Sequence, residues 1–150
     1  MHTQTNAYPT QSIMTDQPFY TETRTMLDCV STHNYDLLAS ICDDDFGIVD
    51  LNPEGKNVIV EDRAGWENWF KTLFATLTAM QAETYSEITA YQALQHETLG
   101  YCVVNFDQFL LFSGQKHKFN CVTTIIWKKV GDAWKESRWH CSLISREQVL

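Results

Sequence analysis

Residues 99–145 read LGYCVVNFDQFLLFSGQKHKFNCVTTIIWKKVGDAWKESRWHCSLIS, and their pattern decides the fold. Leu99 to Phe112 is a long run rich in Val, Phe and Leu. His117 to Lys129 and Trp134 to Ser145 are two more strand-like segments. β-Branched and aromatic residues suit a pleated, half-buried surface. The breaks between the segments, Ser113-Gly114-Gln115 and Val130-Gly131-Asp132, have the length and composition of hairpin turns. Long strands in succession, with no helical segment between them, predict an antiparallel sheet.

Upstream, Glu83 to Leu94 alternates in part and adds a strand, closed by Gln95-His96-Glu97. Before Met80 the period changes. Asp62 is placed to cap a helix from Arg63 to Met80. On it Trp66, Trp69, Phe70, Leu73, Phe74 and Leu77 form one apolar stripe. Phe46 to Asp50 reads as a short strand and Asn52-Pro53-Glu54-Gly55 as a turn. Tyr35, Leu38, Ile41 and Cys42 make the stripe of a short helix, which Asp43-Asp44-Asp45 ends, facing solvent. A first helix is predicted from Thr15-Asp16, with Pro18 in its first turn and Phe19, Met26, Cys29 and Val30 inward. Helices followed by strands give the α+β class. Residues 1–15, rich in Thr, Gln and Asn, read as a flexible lead that Tyr8 or Ile13 pins, and residues 16–150 as one domain.

Charge narrows the function. Nineteen Asp and Glu against 11 Lys and Arg give a formal charge of -8, which disfavours nucleic acid and anionic membranes as partners. No stretch approaches the roughly 20 apolar residues of a membrane span. The N-terminus lacks the charged and apolar regions of a secretory signal. The five cysteines, Cys29, Cys42, Cys102, Cys121 and Cys141, are odd in number and show no C-x-x-C spacing. They read as free thiols in a reducing, cytoplasmic setting.

The ending from Thr124 through Trp127, Gly131 and Trp134 to His140 and Ser142 resembles the terminal hairpin of nuclear transport factor 2-like proteins. Those carry T-x-x-W, a G-x-x-W turn and a strand ending H-x-S. Asn34-Tyr35-Asp36, Ile41-Cys42-Asp43, Asp50 to Gly55 and the aromatic helix at Trp66, Trp69 and Phe70 add to the likeness. Within that superfamily it is most similar to the association domain of calcium/calmodulin-dependent protein kinase II and its free-standing bacterial relatives. The resemblance implies a cone-shaped fold with N-terminal helices packed on a curved antiparallel sheet. It also implies a cavity for a small apolar ligand, as in ketosteroid isomerase, scytalone dehydratase and SnoaL-like cyclases. Two positions depart from the family. Arg138 stands where an H-x-H run has its first His, and Val122 where an Arg is common.

Candidate chemistry centres on Asp50, which ends an apolar strand. A partly buried carboxylate there has a raised pKa and can act as a general base; the alternative is a turn-capping Asp before Asn52-Pro53. Period two places Trp134, Glu136, Arg138, His140, Ser142 and Ile144 on one face of the last strand. If that face is concave, Arg138 grips an anion, His140 relays a proton and Ser142 joins them. If Trp139 and Leu143 face the core instead, the polar set lies outside or in a subunit interface. Glu136 serves only to neutralise Arg138. Tyr101, Asn105 and Asp107 share a face of their strand, and Asp107 is either a second acid, a partner of Arg138, or solvated. Tyr20, Trp66, Trp69 and Phe70 are candidate pocket-lining residues, though an aromatic stripe at helical spacing also fits a core. No H-E-x-x-H, glycine-rich phosphate loop or G-x-S-x-G occurs. The expectation is therefore proton-transfer chemistry without metal or cofactor: an isomerase, dehydratase or cyclase acting on a small carbonyl compound in a homodimer. The alternative is a non-catalytic association module.

Overall fold

The computed structural model describes residues 14–51 and 56–150, apart from the Leu51 side chain. The pinning residues Tyr8 and Ile13 and the turn at 52–55 lie outside the described residues. In chain order the elements are α1 (Tyr20–Thr32), α2 (Tyr35–Ile41), β1 (Cys42–Leu51), β2 (Asn57–Val60) and α3 (Arg63–Ala79). The strands β3 (Glu83–Gln95), β4 (Leu99–Phe112), β5 (Gln115–Val130) and β6 (Ala133–Gln148) follow. The six strands form one sheet in the order β2-β1-β6-β5-β4-β3.

The expected hairpins β3–β4, β4–β5 and β5–β6 are antiparallel and long. Ser113 and Gly114 both take positive φ, as a two-residue hairpin turn of matching twist requires. The sheet is nevertheless mixed rather than purely antiparallel, because β1 runs parallel to β6. A return strand that precedes a helix and three hairpins leaves no local signal of which edge it joins. β2 was also not foreseen; its four residues are too few for a period to show.

Helix starts follow capping chemistry unevenly. The Asp62 carboxylate accepts the Gly65 N–H, as expected for the α3 cap. Asn34 caps α2 by accepting the Leu37 N–H. α1 instead starts at Tyr20, after Phe19 in the left-handed region (φ 63), and not at Thr15-Asp16. Gly100 accounts for the position of Phe19. A Cβ at Gly100 would lie 2.6 Å from the Phe19 ring, so only glycine lets that ring settle on β4. There it stacks on Trp127 at 5.5 Å and meets Trp134 edge-on at 5.0 Å. Gln17 ties the approach to α1 onto β3, donating to the Tyr91 carbonyl and accepting from the Ala93 N–H.

Helices α1, α2 and α3 cover one face of the sheet. Trp66 of α3 packs against Phe46 and Phe70, and Tyr20 of α1 packs edge-on against Tyr91. A thiol and a hydroxyl are satisfied inside this core. The Trp127 indole donates to Cys102 Sγ (3.3 Å), and the Tyr91 hydroxyl donates to the Pro18 carbonyl (2.7 Å). Arg63 closes the far end of α2 by donating to the carbonyls of Ala39 and Cys42, and Lys135 donates to the Ser40 carbonyl. These are carbonyls a helix end leaves without partners. Asp43 was expected in solvent but is buried, paired with Lys128 at 3.2 Å. Among the described residues no helix is long and apolar enough to cross a membrane.

Candidate functional site

The last strand decides what each face of the sheet carries. Along β5–β6, Trp127 is opposite Glu136, but the next residue, Ile126, is opposite Arg138. Ser137 is the extra residue of a β-bulge, and it reverses the alternation. Trp134 and Glu136 therefore lie on the helix-covered face, and Arg138, His140 and Ser142 on the opposite one. A second slip, at Ile144, separates Leu143 from Ser145.

The open face can be read as rows across the ladder. One row runs Ile59, Val49, His140, Thr124, Val103 and Gln92. Beside it lie Gly47, Arg138, Ile126, Tyr101 and Leu94, and on the other side Ser142, Val122, Asn105 and Ala90. Arg138 is exposed and bound to Asp45, through the carboxylate at 3.1 Å and the backbone carbonyl at 2.6 Å. Ser137 donates to the same Asp45 carbonyl. Asp107 belongs to this face further along; its carboxylate accepts from Asn120 (3.0 Å) and lies 3.7 Å from Lys118.

On the helix-covered face, Asp50 is half-buried. Its Oδ2 accepts the indole N–H of Trp139 at 3.2 Å. Trp139 in turn leans on Phe106, ring centroids 6.3 Å apart. Cys121 and Cys141 sit on the same face of neighbouring strands. Cys141 is opposite Thr123, and Cys121 is opposite Leu143, so the two thiols are diagonal neighbours. The Cys121 thiol donates to the Phe119 carbonyl at 3.7 Å. The nearness of the two thiols holds Cys121 below the ordinary thiol range and pushes Cys141 above it.

Deeper on this face lies Glu136, only 2% exposed. Among the described residues its Oε2 has no hydrogen-bond partner. Burial alone pushes its pKa up to about 8, so the carboxyl keeps its proton at neutral pH. Its strand neighbours are Trp127 on β5 and Cys42 on β1, whose thiol burial also pushes up. Strict alternation sets Glu136 beside Arg138 to neutralise it; the bulge puts them on opposite faces.

The expected catalytic set is thus not assembled. Asp50 is on the inner face, while Arg138 and His140 are on the outer one and exposed. Of the expected ligand contacts, Ser142, Tyr101, Asn105 and Asp107 also belong to the outer face, so they do not line a cavity beneath the helices. Asp107 is buried yet pairs with Lys118, not Arg138. Trp66 and Phe70 are core, and Trp69 is half-buried against Phe70 at 4.9 Å. Tyr20 is buried within the core. Among the described residues no three His, Cys, Asp or Glu side chains gather as metal ligands would.

No family model matches the chain, and no curated protein matches it in sequence. Solved structures do match in fold. An NTF2-like protein of unknown function from Pseudomonas putida superposes with a TM-score of 0.65 at 12% identity, covering 81% of this chain and 84% of that one. A hexachlorocyclohexane dehydrochlorinase superposes with a TM-score of 0.67 at 16% identity, covering 83% and 82%. The association domain of CaMKII from C. elegans gives 0.65 at 15% identity, covering 85% and 95%. The fold is that of nuclear transport factor 2-like proteins. Identities this low carry the fold and not an activity.

Proposed function

We propose, from the premise of a nuclear transport factor 2-like fold, that this chain is a self-association module. Its open sheet face would bind the same face of a second copy. The observation that carries the reading is the composition of that face. The chain is strongly acidic, yet the three central rows hold no Asp or Glu and include Val49, Ile59, Leu94, Tyr101, Val103, Val122 and Ile126. Ile59 is 66% exposed, Leu94 48% and Tyr101 41%. A sheet buries its apolar face against a second layer, and among the described residues only one face has that layer. Strand spacing and rise give these three rows sides of roughly 25 and 20 Å, on the order of 500 Å². The flanking residues of the same strands extend the face toward the roughly 800 Å² per partner of a standard stable interface. Two copies meeting here avoid the like-charge repulsion of the rest of the surface. The fold likeness to an association domain supports the reading. Sedimentation of the purified chain tests it: a mass above the 17.4 kDa monomer is expected.

Asp50 favours a second reading, a small-molecule site on the inner face. There a carboxylate aligned by an indole N–H stands beside aromatic rings and can accept a proton from an apolar carbonyl compound. Arg138 and His140 take no part, since the sheet separates them from Asp50. The likeness to a dehydrochlorinase fold supports it. A panel of hydrophobic carbonyl compounds in a thermal-shift assay tests it: stabilisation of the native chain and not of Asp50→Ala is expected. The absence of any stabilised complex would remove this reading.

A further inference from the structure

We propose that Cys121 and Cys141 form a two-thiolate site for a soft monovalent cation of the copper(I) class. Both lie on the helix-covered face of adjacent strands, with Cys141 opposite Thr123 and Cys121 opposite Leu143. They keep 8% and 9% exposure. Leu143, opposite Cys121, is 38% exposed, and Asp50 lies near both thiols. Cys29 and Cys42 also lie near each other, but deeper in the core. Cys102 Sγ is occupied as acceptor of the Trp127 indole and lies beside the Thr23 hydroxyl. Cys29 and Cys42 are sealed in the core.

Geometry separates ion binding from disulfide formation. Diagonal residues on antiparallel strands have Cα atoms about 7–8 Å apart. A disulfide needs roughly 4.4–6.8 Å and an S–S bond of about 2.05 Å, so closing one would require the strands to move. A cation between the sulfurs tolerates the wider separation, and paired thiolates select soft ions. Binding forms two sulfur–metal bonds and releases two thiol protons to solvent, with no change of oxidation state.

The test uses the reduced full chain, free of oxygen, titrated with copper(I) in competition with bicinchoninate. One ion per chain is expected, with the near-ultraviolet absorption of copper–thiolate bonding. Cys121→Ser and Cys141→Ser each lose that binding, whereas Cys29→Ser keeps it. Silver(I) added to the native chain shields Cys121 and Cys141 from alkylation in peptide mapping, an arm that needs no variant to fold. Unchanged binding in either serine variant, no shielding, or a Cys121–Cys141 disulfide forming in the folded chain in air would overturn the proposal. The site is on the face opposite the proposed interface, so its failure leaves self-association standing.

Discussion

Glu136 and Arg138 point to opposite sides of the sheet although only one residue separates them. Strand alternation would put them together; the bulge at Ser137 parts them. One becomes a proton-bearing acid in the core and the other a surface cation bound to Asp45. Most of what distinguishes the two faces follows from that slip.

Burial of Glu136 makes stability depend on pH. A carboxyl whose pKa rises on folding binds its proton more tightly in the native state than in the unfolded chain. Its contribution is complete below the unfolded pKa of 4.5, falls as pH rises and is gone above about 8. Lys135 and Arg63 approach the same strand junction and Cys42 adjoins the carboxyl, but none of them pairs with Oε2. Glu136→Gln is therefore expected to flatten the decline in Tm between pH 5 and 9 relative to the native chain. Its advantage at the alkaline end would be on the order of a few kcal/mol. Parallel pH profiles would show that Glu136 ionises in the fold without penalty.

Gly100→Ala places a methyl group against the Phe19 ring, which Trp127 and Trp134 hold from two other sides. With no room to yield, the substitution is expected to destabilise by about 1–3 kcal/mol. Urea denaturation measures it. Phe19→Leu in the same background is expected to recover part of the loss.

Trp66 is fully enclosed between Phe46, Phe70 and the Arg63 guanidinium. Trp66→Ala is expected to cost about 3–5 kcal/mol. Trp69→Ala, at a half-buried position on the same helix, is expected to cost much less. Equal losses in denaturant midpoint would contradict the assignment of Trp66 to the core and Trp69 to its margin.

Much of this fold was legible in the residues. The aromatic stripe of α3, its Asp62 cap and the three hairpins follow directly from period and turn chemistry. What was not legible has a common cause. A bulge changes which face every later residue occupies, and nothing in Glu136-Ser137-Arg138 announces one. Strict alternation therefore grouped Glu136 with Arg138 and His140. The parallel β1–β6 pairing is equally silent, because it joins residues about 90 apart in the chain. It sets Asp50 beside Trp139, a contact no spacing rule supplies.

The most direct test of self-association is sedimentation equilibrium of the native chain beside Tyr101→Glu. Tyr101 is exposed in the isolated chain, so the added charge leaves the fold intact and acts only where a second copy would sit. The account predicts an oligomer for the native chain and a 17.4 kDa monomer for the variant, with matching far-ultraviolet spectra. A native chain that stays monomeric at tens of micromolar, or a variant that still associates as tightly, would contradict it.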